Sequence, residues 1–245
     1  MFETFFYQPI LNLLIFLYNI VPGHDLGIAI ILLTIIVKFA LLPLTKKQLQ
    51  SQKALQELQP KIDEIKKKYK DKKEEMGKAM MDVYKNNKVN PLSSCLPVLV
   101  QMPFLFAIFK VFRDGFENGA FDLLYPFISR PESIDYFSFG IVDLAKNHNI
   151  YLAVAAGLAQ FYQGKLMQTK RPSPKVDGSK DEDMAAIMNK QMMVFMPFLT
   201  AMISYQFSAG LALYWFISTC LLVFQQLFIF KKTTKNEIIE GEIVK

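Results

Sequence analysis

The feature that most constrains this chain is a run of 40 residues without a formal charge, from Gln191 to Phe230. An α-helix rises about 1.5 Å per residue, so about 20 apolar residues cross a bilayer core of roughly 30 Å. The run is therefore long enough for two spanning helices. Ser208-Ala209-Gly210, near its middle, supplies small residues at which the chain can turn. An ordinary soluble domain is excluded, and the sequence predicts an all-α polytopic membrane protein.

Three further apolar runs bring the predicted number of membrane spans to five. They cover residues 26–44, 89–109 and 147–164. The second run holds three prolines, which membrane helices tolerate when neighbouring groups satisfy the freed carbonyls. The first 22 residues are apolar as well, and a Pro22-Gly23 pair ends them. An interfacial helix lying on the membrane is predicted there, with a sixth span as the alternative.

Lysine and arginine counts in the connecting segments set the predicted orientation, because cytoplasmic loops are enriched in these residues. Segments 45–90, 165–190 and 231–245 hold 13, 6 and 4 of them, whereas segment 113–149 holds 3 and the first 25 residues hold none. The N-terminus and segment 113–149 are therefore predicted outside, and the C-terminus in the cytoplasm. The formal net charge of +6 is mainly a topology signal. Sequence-specific nucleic-acid binding is not predicted, because the lysines alternate with acidic residues.

The resulting organisation divides the whole chain into ten segments. In chain order they are an N-terminal interfacial amphipathic helix (1–23), a first span (24–44), a cytoplasmic helical hairpin (45–90), a second span (91–112), an extracytoplasmic loop (113–148), a third span (149–167), a cytoplasmic loop (168–190), a fourth span (191–208), a fifth span (209–230) and a cytoplasmic tail (231–245). Polar residues 168–183 are predicted to be a mobile loop, and the mixed-charge tail to be disordered.

The cytoplasmic hairpin has the pattern of two helices. Thr45-Lys-Lys-Gln48 matches a capping box, so a helix is predicted to begin there. Apolar residues then recur at spacings of three and four, which is typical of a packed seam, and Pro60 predicts a kink or a break. Lys70-Asp-Lys-Lys73 interrupts the pattern before it resumes. The pattern leaves open whether this hairpin is a solvated spacer or docks a partner protein or substrate.

Lys38 is the charged residue within the apolar run 26–44. A lysine at the centre of a membrane helix costs about 2.5–3.5 kcal/mol on insertion scales. Two interpretations offset that cost: the side chain snorkels to the nearby cytoplasmic end, or it faces a wet groove. Uncharged polar residues in the other runs favour the groove, although each could simply form interhelical hydrogen bonds. They are Thr34, Gln101, Gln160, Gln163, Ser204, Gln206, Ser218, Thr219, Gln225 and Gln226, with Tyr214-Trp215 at the start of the fifth span.

The sequence holds no motif for catalysis, for a cofactor or for a metal. Its two histidines, His24 and His148, neighbour no plausible nucleophile or second ligand, and the apolar runs contain no acidic residue. Proton-relay transporters and aspartate-type intramembrane proteases need such residues. Cys95 and Cys220 are read as small buried residues. The chain is therefore predicted not to be an enzyme and to bind no cofactor.

Several segments in the same order resemble the YidC/Oxa/Alb family of membrane protein insertases, in its short bacterial form. They are Ile35-Ile-Val-Lys-Phe-Ala-Leu-Leu-Pro-Leu-Thr45, Leu58-Gln-Pro-Lys-Ile62, Tyr84-Lys-Asn-Asn-Lys-Val-Asn-Pro-Leu92, Cys95-Leu-Pro-Val-Leu-Val-Gln-Met-Pro-Phe104, Met196-Pro-Phe and Ser208-Ala-Gly-Leu-Ala-Leu-Tyr-Trp215. The resemblance implies five core helices around a hydrophilic groove in the inner leaflet, closed on the outside. The family usually has arginine where this chain has Lys38, which keeps the charge but loses the planar fork.

The resemblance also implies a function and a site. The expected function is insertion and folding of nascent membrane proteins in the bacterial inner membrane, through a positively charged groove and without nucleotide hydrolysis. Expected partners are nascent membrane proteins and lipid, with the ribosome, the signal recognition particle pathway and the Sec translocon as further candidates. The implied groove residues are Lys38, Thr34, Gln160, Gln163, Trp215 and Tyr214. Two alternatives are a small channel or anion carrier, which the apolar stretch Leu26–Leu33 disfavours, and a passive assembly scaffold.

Overall fold

The computed structural model describes residues 1–69, 72–90, 96–114, 120–167 and 180–243. These residues form eight α-helices and one small antiparallel sheet. In chain order they are α1 (Gln8–Ile20), α2 (Leu26–Ala40), α3 (Leu42–Lys68), α4 (Lys73–Asn86), α5 (Leu96–Asp114), β1 (Phe137–Ser138), β2 (Val142–Asp143), α6 (Ile150–Met167), α7 (Lys180–Gln206) and α8 (Ala209–Ile243). Helices dominate the described residues, as an all-α membrane protein requires.

The chain divides into two compact units. The first comprises Met1–Leu42, Val98–Gln160 and Pro197–Leu222, and the second comprises Pro43–Pro97, Phe161–Met196 and Val223–Lys245. The large apolar core lies in the first unit, where α1, α2, α5 and the start of α8 contribute buried side chains. Leu11, Ile15 and Leu26 are among the fully buried residues at its centre.

Local sequence signals explain how α1 ends and how α2 begins. The Pro22-Gly23 pair lies in a short 3-10 turn after α1, and Gly23 has a φ of 77°, which only glycine adopts without strain. Asp25 then caps α2, since its Oδ1 accepts the backbone N–H of Ile28 at 3.0 Å. The predicted break after the first apolar segment is therefore confirmed. The location of α1 at a membrane surface stays a prediction.

Two polar side chains attach the loop between α5 and α6 to this core. Asn12 is buried in α1, where its Nδ2 donates to the Leu123 carbonyl at 2.9 Å and its Oδ1 accepts the Tyr125 N–H at 2.6 Å. Asp25 accepts the Ser138 hydroxyl at 2.8 Å and the Phe139 N–H at 2.6 Å. The predicted extracytoplasmic loop is thus ordered in its described part, residues 120–148, and includes a β-hairpin.

Close helix contacts in the first unit occur at small residues. A Cβ on Gly157 of α6 would lie 3.0 Å from the Ala201 Cβ and 3.2 Å from the Pro197 carbonyl of α7. A Cβ on Gly210 would overlap the ring of Phe112, so the start of α8 packs tightly on α5. Small residues let helix backbones approach in membrane proteins, where packing replaces a hydrophobic driving force.

Several helix boundaries in the second unit differ from the predicted ones. α3 begins at Leu42, so Thr45 lies inside the helix and the predicted capping box is wrong. A proline is tolerated in the first helical turn, and Pro43 lets the helix begin earlier. α3 also continues through Pro60 without a break. The interruption near Lys70 is confirmed in part, since α3 ends at Lys68 and α4 begins at Lys73, while residues 70–71 lie outside the described part.

Two segments predicted to be irregular are helical where the structure describes them. Residues 180–190 of the predicted loop 168–190 form the beginning of α7, and residues 168–179 lie outside the described residues. The predicted disordered tail continues α8 as far as Ile243. Residues 180–190 and 231–240, which adjoin the apolar spans, contain no proline or glycine, so the helices extend beyond the apolar residues.

Among the described residues, one helical segment is by itself long and apolar enough to cross a membrane, Ala209–Phe230. A second appears when α2 and α3, which meet at a bend, are taken together, and Met193–Gln206 is a shorter apolar helix. The length and hydropathy of the helices therefore support some of the five predicted membrane spans. The count of five spans and their orientation stay predictions.

Candidate functional site

Lys38 lies in the last turn of α2, which ends at Ala40. The carbonyls at a helix C-terminus carry partial negative charge, and a cation there is favourable by about 0.3–1 kcal/mol. The residue is only 8% exposed, which does not fit a side chain that reaches out to solvent. The sequence places Lys38 well inside an apolar run, whereas the structure places it near the end of the helix. Its charge is thus buried in protein but close to the C-terminal end of α2.

The Lys38 ammonium donates to the Gln101 Oε1 on α5 at 3.0 Å. The other side of the same amide, Nε2, donates to the hydroxyl of Tyr214 on α8. That hydroxyl also shares a hydrogen bond with the side chain of Ser218, one helical turn further along α8. We call Lys38, Gln101, Tyr214 and Ser218 the lysine network. It joins three helices of the first unit through the buried Lys38, Tyr214 and Ser218 and the half-buried Gln101, a context in which a hydrogen bond is costly to leave unmade.

The other predicted groove residues occupy different environments. Thr34 is fully buried one turn before Lys38, and its hydroxyl donates to the Ile30 carbonyl at 2.6 Å. Trp215 is half-buried beside Tyr214, and its carbonyl accepts the Thr219 hydroxyl at 2.9 Å. The structure thus joins Lys38 to Tyr214, while Thr34 bonds within its own helix.

Gln160 and Gln163 lie on α6 in different units. Gln160 is half-buried in the first unit, which also holds the lysine network. Gln163 is buried in the second unit. Their assignment to a common groove with Lys38 therefore stays a prediction.

Gln101 is the site residue that the predicted groove set lacked. It was recognisable as an isolated amide in the second apolar run, and an amide oxygen is a suitable acceptor for an ammonium. Its pairing with Lys38 depends on the rotation and depth of α5 relative to α2, which the pattern along one chain does not contain. The sequence likewise marks Ser218 as a polar residue in an apolar run, but it does not indicate that Tyr214 is its partner.

A second lysine, Lys110, lies in α5 within the predicted second span. It forms an ion pair with Glu3, in the short π-helical turn before α1, and its Nζ lies 4.5 Å from the centre of the Tyr7 ring. Phe6 packs edge-on against Phe104 of the same helix, with ring centres 5.8 Å apart. These contacts hold the N-terminal turn on α5, which the sequence pattern did not predict.

No group of three or more potential metal ligands occurs within the part of the chain that the structure describes. The described cysteine, Cys220, is a free, half-buried thiol, and Cys95 lies outside the described residues. The site is thus a buried cation held by amide, phenol and hydroxyl groups. Such a site can bind or orient polar and negatively charged groups, because ammonium, amide and hydroxyl groups all donate hydrogen bonds.

These features define a helical protein with long apolar segments and a buried polar network around one lysine. Comparison with known proteins supports a membrane location: residues 16–237 match the family model described as "60Kd inner membrane protein". The chain belongs to this family of inner membrane proteins.

Curated relatives carry the name "Membrane protein insertase YidC". One from Fusobacterium nucleatum is 36% identical over 231 residues, which cover 94% of this chain and 98% of that protein. One from Treponema denticola is 35% identical over 221 residues, covering 89% of this chain and 36% of that protein. One from Shewanella frigidimarina is 36% identical over 232 residues, covering 94% and 38%.

The chain thus spans nearly all of the Fusobacterium protein but less than two-fifths of the length of the other two relatives. All three relatives are named as insertases and none as an enzyme, in agreement with the prediction that this chain is not an enzyme. The family predicted from the sequence motifs is confirmed by these matches.

Proposed function

We propose that this chain is a membrane protein insertase and chaperone, which inserts nascent membrane proteins through a positively charged hydrophilic groove without nucleotide hydrolysis. Family membership supports the class of function. The observation that carries the mechanism is the buried Lys38, whose ammonium donates to Gln101 at 3.0 Å and is linked through that amide to Tyr214. A buried charge with polar neighbours is expensive in a membrane protein and is typical of a functional site.

The lysine network would attract a polar or acidic segment of the nascent chain. Two unit charges 4 Å apart interact by about 1 kcal/mol in water and about 4 kcal/mol at an effective dielectric constant of 20. Lys38 is nine-tenths shielded from solvent, so the larger value, for an effective dielectric constant of 20, applies to its charge. The Gln101 amide keeps the ammonium inside the protein and leaves its remaining N–H groups to donate to a substrate carboxylate or carbonyl.

The driving force in this proposal is transfer of the substrate's apolar helix from water into lipid. A groove that holds the polar segment shortens the hydrocarbon barrier which that segment must cross. The membrane potential adds about 2.3 kcal/mol per elementary charge for each 100 mV. Closure on the outside is supported by α2, where Leu26, Ala29, Ile30 and Leu33 are buried and apolar on the turns before Lys38. A channel through both leaflets would need polar groups along those turns.

The remaining predicted features belong to the same proposal. The chain spans the bacterial inner membrane five times, with its N-terminus outside and its C-terminus in the cytoplasm. Thr34, Gln160 and Trp215 contribute to the groove around Lys38 in the first unit. Lipid and nascent membrane proteins are its direct partners, and the ribosome, the signal recognition particle pathway and the Sec translocon deliver or receive those proteins.

The cytoplasmic helix α3 supports a role in receiving substrate. Thr45, Gln48 and Gln52 lie on its buried side at helical spacing. The Gln48 Nε2 and Gln52 Oε1 have no hydrogen-bond partner within the part of the chain that the structure describes. An amide left without a partner in a buried position costs about 1–3 kcal/mol. These amides are suited to hydrogen bonding with the backbone of an arriving polar segment, which favours the receiving arm over a passive spacer.

The proposal is tested by insertion into proteoliposomes that contain only this protein. The substrate is a single-span protein with an acidic N-terminal tail, and a matched substrate with a neutral tail is the control. Lys38→Ala and Lys38→Glu are expected to slow insertion of the acidic tail, with Glu the more severe, while Lys38→Arg retains it. Equal insertion of the acidic tail by all variants would refute the charge-attraction mechanism. Ion conductance without substrate would favour the channel instead, and no insertion by the wild-type protein would favour a passive scaffold.

A further inference from the structure

The tip of the β-hairpin in the loop between α5 and α6 has an inverted pattern of exposure, whereas Tyr136, Val142 and Leu144 beside it pack against the core. Phe137, Phe139 and Ile141 are 50%, 60% and 82% exposed, whereas Ser138 is 1% exposed. Successive side chains of a strand point to opposite faces, and a hairpin on a water-soluble surface turns its apolar residues inward and its polar residues outward. The opposite arrangement is the one that lipid-facing strands adopt.

The turn of this hairpin adds a second observation. The Ile141 N–H donates to the Ser138 carbonyl at 3.0 Å, and the two residues between them, Phe139 and Gly140, have φ values of 50° and 66°. Turns with two positive φ values favour Asn-Gly or Asp-Gly. A bulky residue in this left-handed region is an outlier that costs about 1–3 kcal/mol and points to a functional constraint. The tip therefore carries an aromatic side chain at a position where the turn favours asparagine or aspartate.

The hairpin is attached where α2 begins. Asp25 accepts the Ser138 hydroxyl at 2.8 Å and the Phe139 N–H at 2.6 Å, and it caps α2 immediately before the apolar residues that start at Leu26. A Cβ on Gly27 would overlap the Ser138 side chain, so the contact between hairpin and helix is close. In the proposed membrane arrangement α2 crosses the hydrocarbon region, so Asp25, which precedes its apolar residues, lies at the outer edge of that region. The tip is bonded to Asp25 and lies near the same edge in that arrangement.

We propose that the tip of this hairpin, Phe137, Phe139 and Ile141, is a lipid anchor that inserts into the outer leaflet of the membrane. Its partner is the zone between headgroups and acyl chains, in which interfacial segments bury apolar side chains such as Phe and Leu. The anchor fixes the depth of the outer end of α2, the helix that carries Lys38 towards its other end. This inference rests on family membership, on the hairpin and on the proposed orientation of the chain, and it is independent of the proposed insertion mechanism.

The test measures the depth of a single tryptophan in lipid nanodiscs, where aqueous quenchers reach both faces of the bilayer. Trp215→Phe supplies a background without tryptophan, since the sequence has one Trp. Phe139→Trp reports on the tip, and Ile141→Trp reports on the same tip should the first variant fail to fold. Glu132→Trp is the matched control, because Glu132 is an exposed charged residue of the same loop.

Tryptophan at position 139 or 141 is expected to emit at shorter wavelength than at 132. It is also expected to be quenched by phosphatidylcholine with brominated acyl chains and shielded from aqueous iodide. Position 132 is expected to show the reverse. If 139 and 141 both emit like a hydrated indole, are quenched by iodide as strongly as 132 and do not respond to brominated lipid, the anchor is refuted. Such a result would leave the insertion assay with Lys38 variants unaffected.

Discussion

Replacing Gln101 by leucine tests the lysine network directly. The Gln101 Oε1 is the acceptor that the structure shows for the buried Lys38 ammonium, at 3.0 Å. A hydrogen bond to a charged group is worth about 1.5–3 kcal/mol, and leucine fills a similar volume without an acceptor. Unfolding midpoints of chains of 150–250 residues shift by about 2–4 °C per kcal/mol. The variant is therefore expected to lose roughly 3 to 12 °C in detergent.

Gln101→Glu separates stability from electrostatic attraction. A glutamate at this position keeps an acceptor beside Lys38, so the unfolding midpoint is expected to stay near that of the wild type. Its negative charge cancels the field of the ammonium, so insertion of a substrate with an acidic tail is expected to fall about 10-fold, which corresponds to about 1.4 kcal/mol. Gln101→Leu is expected to lower both stability and insertion, because the unpaired ammonium no longer has a fixed position.

The measurements are thermal unfolding in detergent and insertion in proteoliposomes, with Met102→Leu as the matched control. Met102 is the next residue of α5 and is exposed, so its substitution leaves the network intact. The double variant Lys38→Met with Gln101→Leu is expected to recover stability relative to Gln101→Leu alone, since removing both partners leaves no uncompensated charge. Identical unfolding and insertion for Gln101→Leu and Met102→Leu would refute the reasoning.

Two further predictions concern how the loop between α5 and α6 is held. Asn12→Leu removes three hydrogen bonds of a buried side chain. It is expected to destabilise the protein by about 1–3 kcal/mol and to expose the loop to proteases. The control Asn19→Leu removes one exposed hydrogen bond and is expected to change little. Gly27→Ala is expected to displace the Ser138 side chain and to lower the unfolding midpoint. Gly164→Ala is its control, because a Cβ there meets nothing within 4 Å. A normal midpoint and normal protease resistance for Asn12→Leu and Gly27→Ala would show that these contacts do not hold the loop.

Breaks between helices were predictable where they depend on local residues. α1 ends before Pro22-Gly23, α7 and α8 are separated near Ser208, and α3 and α4 are separated around Lys70. Glycine, proline and clustered charges act through the backbone conformation of a few residues. The start of α3 was predicted wrongly because Thr45 and Gln48 match a capping box but are buried on one side of a longer helix. Tertiary packing overrode that local signal.

Side-chain partners in the site were only partly predictable. The sequence showed that Lys38 needs compensation and that Tyr214 lies in an apolar run with other polar groups. It did not show that Gln101 links them, because that link joins residues 63 and 113 positions apart. The hydrogen bonds that Asn12 and Asp25 form with the loop between α5 and α6 likewise join residues more than 100 positions apart. Such pairs depend on how each helix is rotated and how deep it lies.

The sequence by itself determined that this chain is a helical membrane protein of a known insertase family with one costly charge in its first long apolar run. Apolar length, charge asymmetry and motif order can all be read along the chain. In a bilayer, the length of an apolar run determines whether a helix can span it, and the distribution of lysine and arginine determines which side each loop occupies. Only the tertiary structure decided that Lys38 is buried against Gln101 near the end of α2, and that Phe139, which lies 114 positions after Asp25, is bonded to Asp25 at the other end of α2 and exposed there. The physical reason is that a hydrogen bond needs its two atoms within about 3 Å, a condition that packing in three dimensions alone can meet.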